Sequence, residues 1–232
     1  MPHIPLYVPD DVRDPDPKRA YINTIEHIDT EVGRLLKTID DLKLTDNTYV
    51  IYTTDNGPWL PFLHHGGSAG PLRDGKGTTF EGGQRVPCVM RGPGIPAGTV
   101  CDELTGTIDL LPTIAAITGK PLPKGKKIDG LNVSGLWKGT EKNSPRTEFL
   151  HYTSRGDLEG IRSGKWKLLI KKPRRNPNNK PPEVFLFDLS KDLGEQNNLA
   201  DAKSVVVRDL RARMETLDAE ITKNARSPWL KD

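Results

Sequence analysis

One stretch constrains this chain more than any other: residues 49–83, YVIYTTDNGPWLPFLHHGGSAGPLRDGKGTTFEGG. Val50-Ile51-Tyr52 is a short β-prone run, with Asn47 before it and Asn56-Gly57 after it. That is the pattern of a central strand in a parallel sheet. In open α/β sheets ligands gather at the carboxyl ends of strands, and Asp55 and Asn56 stand at such an end. A carboxylate and an amide carbonyl are hard oxygen donors of the kind Ca²⁺ or Mg²⁺ prefers, and Gly57 lets the backbone turn sharply behind them. Farther on, Lys76 lies between Gly75 and Gly77, where small neighbours let an anion approach both the ammonium and backbone N–H groups. A dication and a lysine aimed at one place suit a tetrahedral oxyanion, sulfate or phosphate. Taken singly, Asp-Asn-Gly is an ordinary turn and Gly-Lys-Gly says less still. The chemical meaning lies in their conjunction after one apolar strand.

That string, DNG at a strand end followed by HGGSAGPLRDGKGTTFEGGQRVP, closely resembles the sulfatase family, in its arylsulfatase A-like branch. The resemblance implies an α/β fold, the C-terminal part of an alkaline-phosphatase-like sandwich. It implies that Asp55 and Asn56 are two of the Ca²⁺ ligands and that Lys76 binds the sulfate ester. His65, just before Gly66-Gly67-Ser68-Ala69-Gly70, fits a pocket-wall residue. His3, in His3-Ile4-Pro5, matches a His-x-Pro context that places a histidine over the substrate, where it would hydrogen-bond or protonate the leaving oxygen. Arg73 is open between supporting the loop and contacting an acidic substrate. Glu81 and Arg85 read as an internal pair shaping the loop behind Lys76.

Length and composition fit this reading without requiring it. The 232 residues suffice for one medium domain with an appendage. Glycine (22) and proline (20) are abundant and apolar residues make up 34%, so long connections are expected. A net charge of +3, from 34 basic and 31 acidic residues, does not call for a nucleic-acid partner. No segment approaches the ~20 apolar residues of a membrane span. Of the two cysteines, Cys88 reads as a buried strand thiol and Cys101 as a turn residue, and no disulfide follows from their spacing.

Around the central stretch the chain divides into an expected catalytic part, residues 1–140, and a small α+β subdomain, residues 141–232. Ile22, Ile25, Ile28, Val32, Leu35, Ile39 and Leu42 recur at helical spacing, which predicts an amphipathic helix over 18–42 that feeds the strand at 49–54. Trp59, Leu60, Phe62 and Leu63 are too apolar for a plain solvent loop, and packing beneath the loop is preferred over a substrate mouth. Residues 104–119 predict a helix stopped by Gly119. Strands are expected at 148–152, on either side of Ser163-Gly164, and at 183–188, closed by a helix over 202–222. His151 reads as a hydrogen-bonded strand histidine. The last region, with its WKL strand and the turn Phe187-Asp188-Leu189…Glu195…Asn198-Leu199, resembles the sulfatase C-terminal subdomain.

The family nucleophile is a formylglycine made from Cys or Ser in a Cys/Ser-x-Pro-x-Arg motif, and no such motif occurs in these 232 residues. The expectation is therefore a sulfatase whose N-terminal half lies outside this chain, with the chain by itself inactive. The partner implied is a sulfated small molecule or sulfated glycan, and the location implied for the full-length family member is periplasmic or secreted. Two rival readings stand beside it. One is a phosphoryl-ester hydrolase of the same superfamily. The other is a non-catalytic module that binds sulfated glycans through the basic segment 171–180 and the lysines near 124–127.

Overall fold

The computed structural model describes residues 2, 5, 6, 8–125, 127–173 and 180–225. His3 and the middle of the basic segment 171–180 lie outside the described residues. The chain resolves into two compact units. One comprises residues 1–93 together with 192–196, and the other comprises 94–191 and 197–232.

The first unit begins with helix α1 (Pro17–Asp41). Asp16 caps it, its carboxylate accepting from the Lys18 amide at 2.9 Å, and Pro17 opens the first turn with its φ already helical. The apolar stripe runs as expected, but it is only half used. Thr24 is buried and Ile28, Val32 and Ile39 are partly so, whereas Ile22, Ile25 and Leu35 remain exposed. The helix packs against a 3₁₀ segment, Leu60–His65. An exposed ion pair joins Asp40 near its end to Arg91. Strand β1 (Val50–Thr53) pairs with β2 (Cys88–Arg91) in register Val50↔Arg91 to Thr53↔Cys88. The pairing is antiparallel and two-stranded among the described residues, which corrects the expected parallel neighbour. Periodicity reports burial but not strand direction. The link from β1 to β2 is an irregular loop with a four-residue helix, α2 (Glu81–Gln84), instead of a crossover helix. Cys88 sits in β2 but is exposed, which corrects its reading as a buried thiol; both cysteines are free.

The second unit carries α3 (Leu110–Thr118), entered through a 3₁₀ turn at Thr107–Asp109 and stopped by Gly119 in the left-handed region (φ 64°). A short helix α4 (Ser134–Trp137) follows. Four antiparallel strands then run in sequence order: β3 (Glu148–Tyr152), β4 (Leu158–Ser163), β5 (Trp166–Lys171) and β6 (Glu183–Asp188). Ile161, Leu168 and Leu186 are cross-strand neighbours on one face, and Leu210 and Met214 of helix α5 (Ser204–Lys223) close over them. Lys167, Leu169 and Phe187 on the alternate positions are equally buried, so both faces of β5 are covered. His151 on β3 is buried, yet neither ring nitrogen has a hydrogen-bond partner among the described residues, which corrects the hydrogen-bonded reading. Burial lowers its pKa to about 3, helped by the positive charges of Lys167 and Arg162.

Candidate active site

The site is built where β1 ends. Asp55 is exposed and Asn56 half-buried, and the chain then dives inward so that Gly57 and Pro58 are buried. Gly57 is a steric requirement. A Cβ there would lie 1.7 Å from the Gly82 carbonyl oxygen. The close approach lets the Gly57 amide donate to the Gly83 carbonyl at 3.2 Å. The Asp-Asn-Gly turn is thereby sewn to the far end of the lysine loop, 26 residues later in sequence.

The lysine loop itself is held from several sides. The Lys76 amide donates to the Pro58 carbonyl at 2.8 Å, and the Gly82 amide closes the loop onto the Arg73 carbonyl at 2.8 Å. Gly75 and Gly83 accept backbone contacts that no side chain would survive: a Cβ at Gly75 would meet the Pro58 oxygen at 2.3 Å, and one at Gly83 the Thr78 oxygen at 2.3 Å. These glycines are needed for close approach. The Lys76 side chain emerges from this fixed backbone into solvent. Its ammonium lies 5.2 Å from the Trp59 ring centroid and has no carboxylate partner among the described residues. Such an ammonium is positioned without being neutralised, which is what an oxyanion requires.

The loop between the two segments forms a rim. The Trp59 amide donates to the Gly66 carbonyl at 3.0 Å and pinches residues 59–66 into a closed excursion. The Trp59 and Phe62 rings are 4.3 Å apart. Leu60 and Phe62 are each 41% exposed and Leu63 77% exposed, with Leu63 at a positive φ of 48°. The expectation of packing beneath the loop is corrected for Leu60, Phe62 and Leu63, while Trp59 is half-buried: apolarity near a glycine-rich segment does not distinguish a floor from a rim. His64 is exposed and His65 half-buried at the end of this excursion.

Arg73 lies 4.0 Å over the Phe80 ring and donates from Nη1 to the Glu195 carbonyl at 2.8 Å, both contacts supporting the loop. Arg85 approaches the buried Glu81 carboxylate at 3.9 Å. Glu195 is the residue whose part was not foreseen. Its motif was visible in the sequence, but nothing local places it against residues more than a hundred positions earlier. As for a metal, Asp55 and Asn56 offer two oxygens. No group of three or more His, Cys, Asp or Glu side chains gathers around a common point among the described residues. Ca²⁺ takes six to eight oxygens, so the chain's own described residues do not complete such a site.

A strand-end turn tied by backbone hydrogen bonds to a glycine-lined lysine loop, in a chain that also carries a small antiparallel sheet closed by a helix, fits the alkaline-phosphatase-like hydrolases. The comparisons narrow this further. The family model described as Sulfatase matches residues 1–120, and the chain belongs to that family, in its arylsulfatase A-like branch. It is 37% identical to arylsulfatase A of Bos taurus over 215 residues, 84% of this chain and 42% of that protein. It is 32% identical to human steryl-sulfatase over 232 residues, 86% of this chain and 39% of that protein. The solved structure of Ps i-CgsB in complex with a neocarrahexaose superposes with a TM-score of 0.79 at 26% identity, covering 100% of this chain and 50% of that one. The chain thus spans about two-fifths of the length of these curated relatives. No helix among the described residues is long and apolar enough to cross a membrane.

Proposed function

We propose that this chain is part of a sulfuric ester hydrolase and supplies the sulfate-binding half of its active site. One observation supports this above others: the Lys76 ammonium, unmatched by any described carboxylate, stands on a backbone locked to Pro58, three residues beyond Asp55. In this reading Lys76 binds the sulfuryl oxygens and stabilises the charge that grows on them as the S–O bond breaks. His65 walls the pocket. Asp55 and Asn56 supply two of the oxygen donors for a Ca²⁺ whose remaining ligands come from sequence outside these residues. Bound there, the ion would act as a Lewis acid on the same oxygens. His3 is assigned the leaving oxygen on the resemblance of its His-x-Pro context alone. The nucleophile, a formylglycine, comes from outside the 232 residues, so the chain by itself turns nothing over.

The substrate is a sulfated small molecule or sulfated glycan. The ring pair of half-buried Trp59 and exposed Phe62, with Trp59 facing Lys76, suits a ligand with an apolar face. The test compares aryl sulfate with aryl phosphate as substrates for the whole protein. Sulfate release is expected to dominate, and Lys76→Ala is expected to lower kcat/KM by about two to three orders of magnitude, the scale for losing one preorganised stabiliser of transition-state charge. Turnover by the isolated 232-residue chain, or preference for the phosphate ester, overturns the reading.

A further inference from the structure

We infer that Glu195 is a positioning residue that sets the lysine loop; the inference rests on the proposed role of Lys76. Residues 192–196 belong to the first compact unit although the chain on both sides of them belongs to the second. Within that insertion, Glu195 has 0% exposure and a positive φ of 53°. A non-glycine residue in the left-handed region is held there by its surroundings. The surroundings here are the two feet of the lysine loop. The Glu195 carboxylate accepts from the Glu81 amide at 2.6 Å, and its carbonyl accepts from Arg73 Nη1 at 2.8 Å. Gly194 is seated alongside, where a Cβ would come within 3.1 Å of the Pro71 oxygen.

Arg73 and Glu81 bracket Lys76. The Gly82 amide already joins the two feet through the Arg73 carbonyl, and Glu195 joins them a second time, from a different part of the chain. A loop fixed at both ends presents its ammonium at one place instead of many, and preorganisation of that kind is what makes a charge effective in a site. Glu195 touches no reacting atom in this scheme. It acts through Arg73 and Glu81 on where Lys76 stands. The carboxylate, which accepts the amide hydrogen, is the operative group. Gln retains an acceptor of the same reach, Asp falls short and Ala has none.

The test follows amide hydrogen exchange across residues 73–83 of the 232-residue chain, together with uptake of inorganic sulfate monitored at the Lys76 amide by NMR. Glu195→Ala and Glu195→Asp are expected to accelerate exchange at Glu81 and Gly82 at least tenfold and to weaken sulfate uptake about tenfold. Glu195→Gln is expected to stay within about twofold of the parent in both. Arg73→Met, which releases the loop from its other foot, accelerates the same amides and keeps the test decisive if Glu195→Ala does not fold. Unchanged exchange in Glu195→Ala and Arg73→Met, or equal losses in Gln and Ala, overturns the inference. Should the parent chain take up no sulfate, the sulfate assignment of Lys76 falls, while the Gln-against-Ala contrast in exchange still decides whether Glu195 holds the loop.

Discussion

Gly57 has no room for a side chain, and the reason is functional geometry as much as packing. Its α-carbon faces the Gly82 carbonyl so closely that a methyl group would overlap it. Gly57→Ala must therefore part the Asp-Asn-Gly turn from the lysine loop. The expected loss is about 2–3 kcal/mol of stability in chemical denaturation, the upper range for overpacking. His151 makes a different residue-scale prediction. Buried, and beside Lys167 and Arg162, it stays neutral down to about pH 3, whereas in the unfolded chain it takes a proton near pH 6.5. Between those values the unfolded state holds the extra proton, so stability falls as pH falls, by up to about 1.4 kcal/mol per pH unit from this group. Above pH 6.5 it contributes no slope. His151→Phe should flatten the pH dependence of the denaturation midpoint between pH 6.5 and 4, and leave it unchanged above 7.

At the scale of elements, the entry to α3 depends on one buried ion pair. Asp109 accepts from the Gly106 and Leu131 amides at 2.8 and 2.7 Å and from Arg146 Nε at 2.8 Å, while Arg146 Nη2 also donates to the Asp129 carbonyl at 2.9 Å. Burial acts to raise the Asp109 pKa. The donors from Arg146 and the two amides outweigh it, and the pKa lies below the ordinary carboxylate value. One carboxylate thus joins the 3₁₀ turn, the segment at 129–131 and the approach to β3. Arg146→Ala leaves that charge buried alone, and is expected to cost about 3–5 kcal/mol by denaturant titration. Asp109→Asn with Arg146→Met should recover part of the loss. None of this was legible beforehand, because Asp109 reads only as a helix-start residue and its partner is 37 positions away. The strands at 148–152 and 183–188 were legible to the residue, since each is a compact β-prone run bounded by breaker residues. The site divides in the same way. Asp55, Asn56 and Lys76 stand out as candidates by residue type and glycine context, and the backbone bonds from Gly57 to Gly83 and from Lys76 to Pro58 join their two segments. The clamp at Glu195, the exposure of Leu60, Phe62 and Leu63, and the antiparallel pairing of β1 depend on tertiary contacts that no local pattern encodes.

Across the whole molecule, apolar burial is unevenly distributed. Phe80 is the only large hydrophobic in the first unit among those buried in the described chain. Ile161, Leu168, Leu169, Leu186, Phe187, Leu210 and Met214 all belong to the second. In the first unit backbone hydrogen bonds tie residues 57–59 to 66, 76 and 83, and α1, β1 and β2 leave Ile22, Leu35, Tyr52 and Val89 exposed. Hydrophobic burial is the main favourable term in folding, about 25 cal/mol per Å² of apolar surface removed from water, whereas each internal hydrogen bond adds only ~1 kcal/mol net. The first unit should therefore open at lower free energy than the second, and unfolding of the 232-residue chain should not be two-state. Native-state hydrogen exchange is the direct measurement. Amides of α1 and of the β1–β2 pair are expected to exchange through low-energy openings, while those of β4 and β5 exchange only with the slowest opening. Leu168→Ala, at the centre of the larger core, should lower the second transition by about 2–5 kcal/mol and leave the first nearly unmoved. A single transition, with the amides of β1 and β5 protected equally, would show that the glycine-sewn backbone around Lys76 stabilises as much as a hydrophobic core does. The loop that carries the lysine would then be rigid independently of the apolar burial around it.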